Sequence, residues 1–221
     1  KRAPEDMATF KATEPMWSAQ LAHEAAIITI HRARYVSQVN DHVRACFSDM
    51  MTKYEGGDEL PELTYQPTLG SEWLEAHRDD PDLFTDQQRL EERYLELLTT
   101  RHDREIGAGA TLWGIHKDDV RINLNGRPAR LYASQGQQRS LALAMKLAEG
   151  WVSAYESAGD MPVFLFDDVL SELDTHRRDY LVQEMKGRQV IMTACDPAAA
   201  DFGGAVNLIR VDGGRYTQKE V

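Results

Sequence analysis

Two carboxylates, Asp167 and Asp168, stand side by side directly after the apolar run Val163-Phe164-Leu165-Phe166. Such a run predicts a strand buried on both faces. Acids at the carboxyl end of a buried strand suit a magnesium ion held beside a nucleotide phosphate. In that reading Asp167 holds Mg²⁺, usually through a water, and Asp168 orients or deprotonates an attacking water. The plain alternative is a solvated strand-to-loop junction. Upstream, residues 133–149 read Ala-Ser-Gln-Gly-Gln-Gln-Arg-Ser-Leu-Ala-Leu-Ala-Met-Lys-Leu-Ala-Glu. There a polar loop opens into an apolar helix, and the free amides of a helix N-terminus attract anions.

Ser134-Gln135-Gly136-Gln137 fits a capping box, with the Ser side chain and the Gln three residues later each satisfying a backbone N–H. Capping alone explains that pattern. The functional reading adds Ser134 and the amides of Gly136 and Gln137 facing a phosphate, with no Cβ at 136 to hold the backbone away. Arg139 falls in the first helical turn, where the helix dipole disfavours a cation, so it implies an acid or phosphate partner or a solvated arginine. Ser171-Glu172-Leu173-Asp174 reads as a turn ending in a helix N-cap. His116-Lys117-Asp118-Asp119 reads as a solvated loop without zinc-ligand spacing. Trp17, Trp73, Trp113 and Trp151 read as core residues rather than a base-stacking platform. Arg121, Arg127, Arg130 and Arg139 form a modest basic patch, open to DNA, nucleotide phosphates or neighbouring carboxylates.

These residues need elements to position them. Trp17, Leu21, Ala25, Ile28, Tyr35, Val39, Val43 and Phe47 recur at helical spacing and predict one long amphipathic helix from about Glu14 to Met51. Gly56-Gly57 predicts a turn, and Leu63-Thr64-Tyr65-Gln66-Pro67 a short edge strand. Residues 69–84 read as irregular and acidic. A second long helix is expected from Asp86 to Ile106, with Leu90, Tyr94, Leu97 and Leu98 on one side. Together the two helices imply an antiparallel helical arm. Past Gly109, Val120, Ile122 and Leu124 alternate before Asn125-Gly126, a hairpin signal. A buried helix from about Gln137 to Val152 follows. Next come the strand at 163–166, a helix from about Thr175 to Met185 capped by Asp174, and an inner strand Val190–Thr193. A last edge strand carries Val206, Leu208, Ile209 and Val211. The pattern is α/β, and the boundary is placed at 108/109: a helical arm over residues 1–108 and a head lobe with a mostly parallel sheet over 109–221.

Composition narrows the class. The 221 residues are 42% hydrophobic, enough for a real core, and the formal net charge is -11, which argues against a protein that coats polyanions. Cys46 and Cys195 are far apart and fit reduced thiols of a cytoplasmic protein. No apolar run reaches membrane-spanning length and no signal-peptide pattern opens the chain. A start at Lys-Arg-Ala-Pro rather than Met is expected of a piece of a longer protein.

With these residues in hand, the chain resembles the RecF family, bacterial recombination mediators related to SMC proteins and ABC ATPases. Ala133 to Arg139, with the helix after it, is similar to that family's signature loop. Asp167-Asp168-Val169-Leu170-Ser171-Glu172-Leu173-Asp174 is similar to its Walker B and D-loop. Gly114-Ile115-His116-Lys117-Asp118-Asp119-Val120 is similar to its Gly-Pro-His-Arg-Asp-Asp-Leu hallmark, departing at Ile115 and Lys117. The resemblance implies ATP and Mg²⁺ as cofactors and an ATP-dependent homodimer. Ser134, Gln135, Gly136, Gln137 and Gln138 would then contact nucleotide across the dimer, and Asp174 would couple the two sites. It implies DNA, double-stranded or gapped, as a partner, with RecR and RecO as fellow mediators, in gap repair and replication restart. Slow hydrolysis is implied of the complete protein and little or none of this chain alone, because no Gly-x-x-x-x-Gly-Lys-Ser/Thr phosphate loop occurs in it. A lobe carrying that loop is therefore expected elsewhere. Asp168 stands where a glutamate is common, and Ala194-Cys195-Asp196 where a switch histidine is often found. The competing expectation is a non-catalytic module that docks protein or DNA through its arm.

Overall fold

The computed structural model describes residues 4–54, 60–195 and 207–220. Contacts divide the chain into two compact units: Lys1–Ala45 with Glu59–Ser134, and Cys46–Asp58 with Gln135–Val221.

The first unit is built on α1, Pro4–Tyr54, which contributes its residues up to Ala45. It begins ten residues before the expected start and passes through Pro15, a residue that removes one helical N–H. Its buried stripe matches the expected one in part, since Ala25, Val39, Val43 and Phe47 are buried. Ala22, Ala25, Ala26 and Thr29 are buried, whereas Trp17, Leu21 and Tyr35 are exposed. The small residues admit close approach of α3, Gln87–Thr100, through Leu90, Tyr94 and Leu98, with Leu69 completing the cluster. Thr29 Oγ1 and the Tyr94 hydroxyl share a buried hydrogen bond of 2.7 Å. Between them lies the short α2, Ser71–Ala76, in the stretch expected to be irregular. Asp86 caps α3 by accepting from the Arg89 N–H. The expected single helix to Ile106 is instead two, since Arg101 leaves helical geometry and α4 restarts at His102–Ala108.

A small antiparallel sheet completes this unit. The edge strand β1, Pro61–Gln66, pairs with β2, Asp119–Leu124, which turns through Asn125-Gly126 into β3, Arg127–Pro128. Both turn residues have positive φ, 51° and 73°, as an Asn-Gly hairpin requires. The short α5, Ala129–Tyr132, leads to the loop at Ala133 and Ser134.

In the second unit, α6 (Gln135–Glu156) buries Leu141, Leu143, Ala144, Leu147, Ala148 and Val152. A βαβ unit follows: β4 (Phe164–Asp167), α7 (Val169–Glu172), α8 (Thr175–Glu184) and β5 (Val190–Thr193), with β4 and β5 parallel. β4 is not buried on both faces. Phe164 and Phe166 are buried, while Leu165 is 72% exposed. Phe164 lies so close to α6 that a Cβ on Gly150 would come 2.4 Å from its ring. β6 (Asn207–Asp212) pairs with β7 (Arg215–Glu220), a hairpin partner that was not expected. Val206 and the Gly56-Gly57 turn lie outside the described residues.

Candidate functional site

Parallel pairing sets Asp167, the last residue of β4, opposite Thr193, the last of β5. Thr193 Oγ1 donates to Asp167 Oδ1 at 2.5 Å and accepts from the Asp168 N–H at 3.0 Å. Asp168 adopts left-handed backbone geometry, φ 49° and ψ 23°. Few side chains tolerate that region, aspartate being among the better ones. The Asp168 carbonyl accepts from the Ser171 N–H at 3.2 Å and from Ser171 Oγ at 2.8 Å, which closes the turn into α7. Asp168 Oδ1 is shielded from solvent and has no hydrogen-bond partner among the described residues. A shielded carboxylate oxygen is costly until a water or cation satisfies it.

The donor set therefore fits magnesium. Both groups are hard oxygens, and Mg²⁺ is commonly held by one or two carboxylates while keeping waters and phosphate oxygens as its other ligands. Among the described residues no cluster of three or more His, Cys, Asp or Glu forms a closed metal cage.

The second constellation is the first turn of α6. The helix begins at Gln135, two residues before the expected start, so Gly136 belongs to the turn itself. Gln135, Gly136 and Gln137 thus occupy positions whose N–H groups lack intrahelical acceptors, with Ser134 just before them and Gln138 and Arg139 just after. A Cβ at Gly136 would meet the Arg177 guanidinium at 3.2 Å. The missing side chain makes room for an arginine of this chain, a role not anticipated from an approaching anion.

Arg177 is the joint between the two constellations. Its Nε donates to Ser140 Oγ at 2.7 Å, its guanidinium pairs with Asp174, and its backbone N–H donates to Asp174 Oδ1 at 3.0 Å. Arg139 donates to the Glu172 carbonyl at 2.8 Å, so this first-turn cation finds its partner in the chain's own 171–174 segment. Partial burial disfavours the Asp174 carboxylate, but the Arg177 N–H, its guanidinium and its charge outweigh this and hold the carboxyl below its usual range.

In the first unit the His-Lys-Asp-Asp run is only partly a solvated loop. The Asp118 side chain is 3% exposed. It accepts from Arg32 at 2.8 Å, from the Thr68 N–H at 2.9 Å and from the Tyr65 hydroxyl. Gly114, at φ 129°, starts the turn in a conformation that side chains rarely adopt. Arg121, Arg127 and Arg130 are exposed along β2, β3 and α5, and Arg127 lies over the Tyr132 ring at 5.8 Å. Of the tryptophans, Trp17 is exposed, while Trp113 carries Arg101 at 3.8 Å and Trp151 carries Arg188 at 4.2 Å.

Sequence reasoning missed Thr193, Arg177 and Asp118. A hydroxyl ending one apolar strand, paired with a strand ending in acids, was the readable signal for Thr193. Arg177 follows the N-cap by three residues, the spacing that lets it fold back on Asp174.

A helix tied to a βαβ unit with acids at its strand end, in a chain that also carries long helices, is an ABC-ATPase-like fold. The solved structure of the recombination mediator protein RecF-ATPrS in the RecFOR pathway matches it with a TM-score of 0.73 at 24% identity, covering 94% of this chain and 51% of that one. The RecF-ATP structure matches with a TM-score of 0.67 at 25% identity, covering 93% and 50%.

The chain is homologous to the RecF proteins over the part of them that it spans. It is 36% identical over 180 residues to the DNA replication and repair protein RecF of Roseiflexus castenholzii, covering 80% of this chain and 42% of that protein. The RecF of Synechocystis is 32% identical over 212 residues, covering 94% and 51%. The chain thus spans about half the length of the curated relatives it matches. No family model matches it.

Proposed function

We propose that this chain supplies the signature helix, magnesium acids and helical arm of a RecF-type, ATP-gated DNA-binding protein of replication and repair. Residues 1–108 serve as the arm and 109–221 as the head. The observation that carries this reading is the link through Arg177 and Arg139 from the first turn of α6 to the segment following Asp167 and Asp168.

In this reading Asp167 holds magnesium and Asp168 orients the attacking water. Mg²⁺ held there would offset charge on the phosphates. Ser134, Gly136 and Gln137 present amides and a hydroxyl to the phosphate end of a nucleotide held by a second copy, with Gln135 and Gln138 beside them. Asp174, anchored by Arg177, transmits a shift of one site to the other. Arg121, Arg127 and Arg130 face DNA, and the protein acts in gap repair with RecR and RecO as partners. Support comes from the relatives' role in DNA replication and repair and from a structural match bearing ATP in its name.

The test uses the complete protein carrying this chain. Asp168→Asn is expected to lower ATP turnover by about 100-fold, the scale of a lost general base. Ser134→Arg is expected to abolish ATP-dependent dimerisation in sedimentation experiments. Wild-type turnover in the first and intact dimerisation in the second would leave a non-catalytic docking module as the better account.

A further inference from the structure

We propose that Thr193 is a positioning residue that fixes both acids with one hydroxyl. This rests on the reading of Asp167 and Asp168 as the magnesium and water acids.

A threonine hydroxyl has one proton to give and lone pairs to accept with. Here the proton goes to Asp167 Oδ1, and a lone pair receives the Asp168 N–H. Paired residues of parallel strands project to the same face, so the register of β4 against β5 places this hydroxyl beside the acids. One oxygen of Asp167 is thereby pinned, which fixes the plane in which the other can meet a cation. The same contact holds the backbone at Asp168, whose left-handed conformation needs its surroundings to maintain it. Asp168 Oδ1 stays shielded and without a hydrogen-bond partner among the described residues.

The experiment compares Thr193→Val, which keeps shape and strand preference but removes the hydroxyl, with Thr193→Ser, which keeps the hydroxyl, in the complete protein. Three quantities are read: amide hydrogen exchange at Asp168, Mn²⁺ affinity in the presence of ATP by electron paramagnetic resonance, and turnover. Thr193→Val is expected to speed exchange at Asp168 at least tenfold and to weaken Mn²⁺ binding about fivefold. Turnover should fall with less change in the apparent affinity for ATP, and Thr193→Ser should restore all three. Wild-type exchange and Mn²⁺ affinity in Thr193→Val would overturn the proposal, and so would failure of Thr193→Ser to rescue. Asp167→Asn is the control. If it leaves Mn²⁺ affinity unchanged, the magnesium reading fails, while the exchange data still report whether the hydroxyl positions Asp168.

Discussion

Asp118 shows what a single residue does in this molecule. Its carboxylate is almost fully enclosed and receives three donors, from α1, from β1 and from the loop after β1. Removing one partner of a buried charged network leaves the others unsatisfied, which costs more than the pair itself contributes. Asp118→Ala is therefore expected to destabilise the protein by about 3 kcal/mol, read as a lower midpoint in urea unfolding. Asp118→Asn, which can still accept the Thr68 N–H, should lose less. The sequence marked the run around Asp118 as polar, but nothing in it distinguished the buried acid from its exposed neighbour Asp119. That difference is made by Arg32 and Tyr65, which lie far off along the chain. Asp174 was the legible case, because an N-cap is satisfied locally, by an N–H three residues on.

Elements were readable wherever their pattern was local. The stripe Leu90, Tyr94, Leu97 and Leu98 is the buried face of α3, and Asn125-Gly126 is the hairpin turn. On α1 two stripes of helical spacing run side by side. The expected stripe holds at Ala25, Val39, Val43 and Phe47, which are buried, but toward the start of α1 its large residues Trp17 and Leu21 are exposed while Ala22, Ala26 and Thr29 are buried where α3 approaches. The pairing of β1 with β2 spans too much sequence for either strand to announce it. The contact of α6 with β4 gives a test at this scale. Gly150→Ala should improve intrinsic helix propensity by about 1 kcal/mol but drive a methyl into the Phe164 ring. The net expectation is destabilisation of about 1–3 kcal/mol, as for other overpacked cores, partly relieved when combined with Phe164→Leu. Calorimetry of the two single variants and the double variant measures that coupling. At the start of α6, Arg177→Ala should free the first turn from its tie to Asp174, raising hydrogen exchange at residues 135–139 while leaving that of α3 unchanged.

Across the whole molecule the enclosed phenols dictate the response to alkali. Burial pushes Tyr94 up to about 12, and it raises Tyr65 and Tyr180 as well. The folded protein therefore keeps protons that an unfolded chain gives up near pH 10. Since the folded state binds more protons there, this contribution is fully present below about pH 10 and is lost as pH rises through 12. For Tyr94 alone the loss is about 1–3 kcal/mol, and urea midpoints taken from pH 9 to 12 should fall steadily.

The outer face of the parallel strand pair carries Val163, Leu165 and Ile191, which are 46%, 72% and 58% exposed. Oil turned toward water on a strand surface invites self-association. The polypeptide handled by itself should scatter light increasingly with concentration, and Leu165→Lys should raise the amount that stays clear after centrifugation. Storage behaviour, and not only chemistry, follows from which side of β4 was left bare.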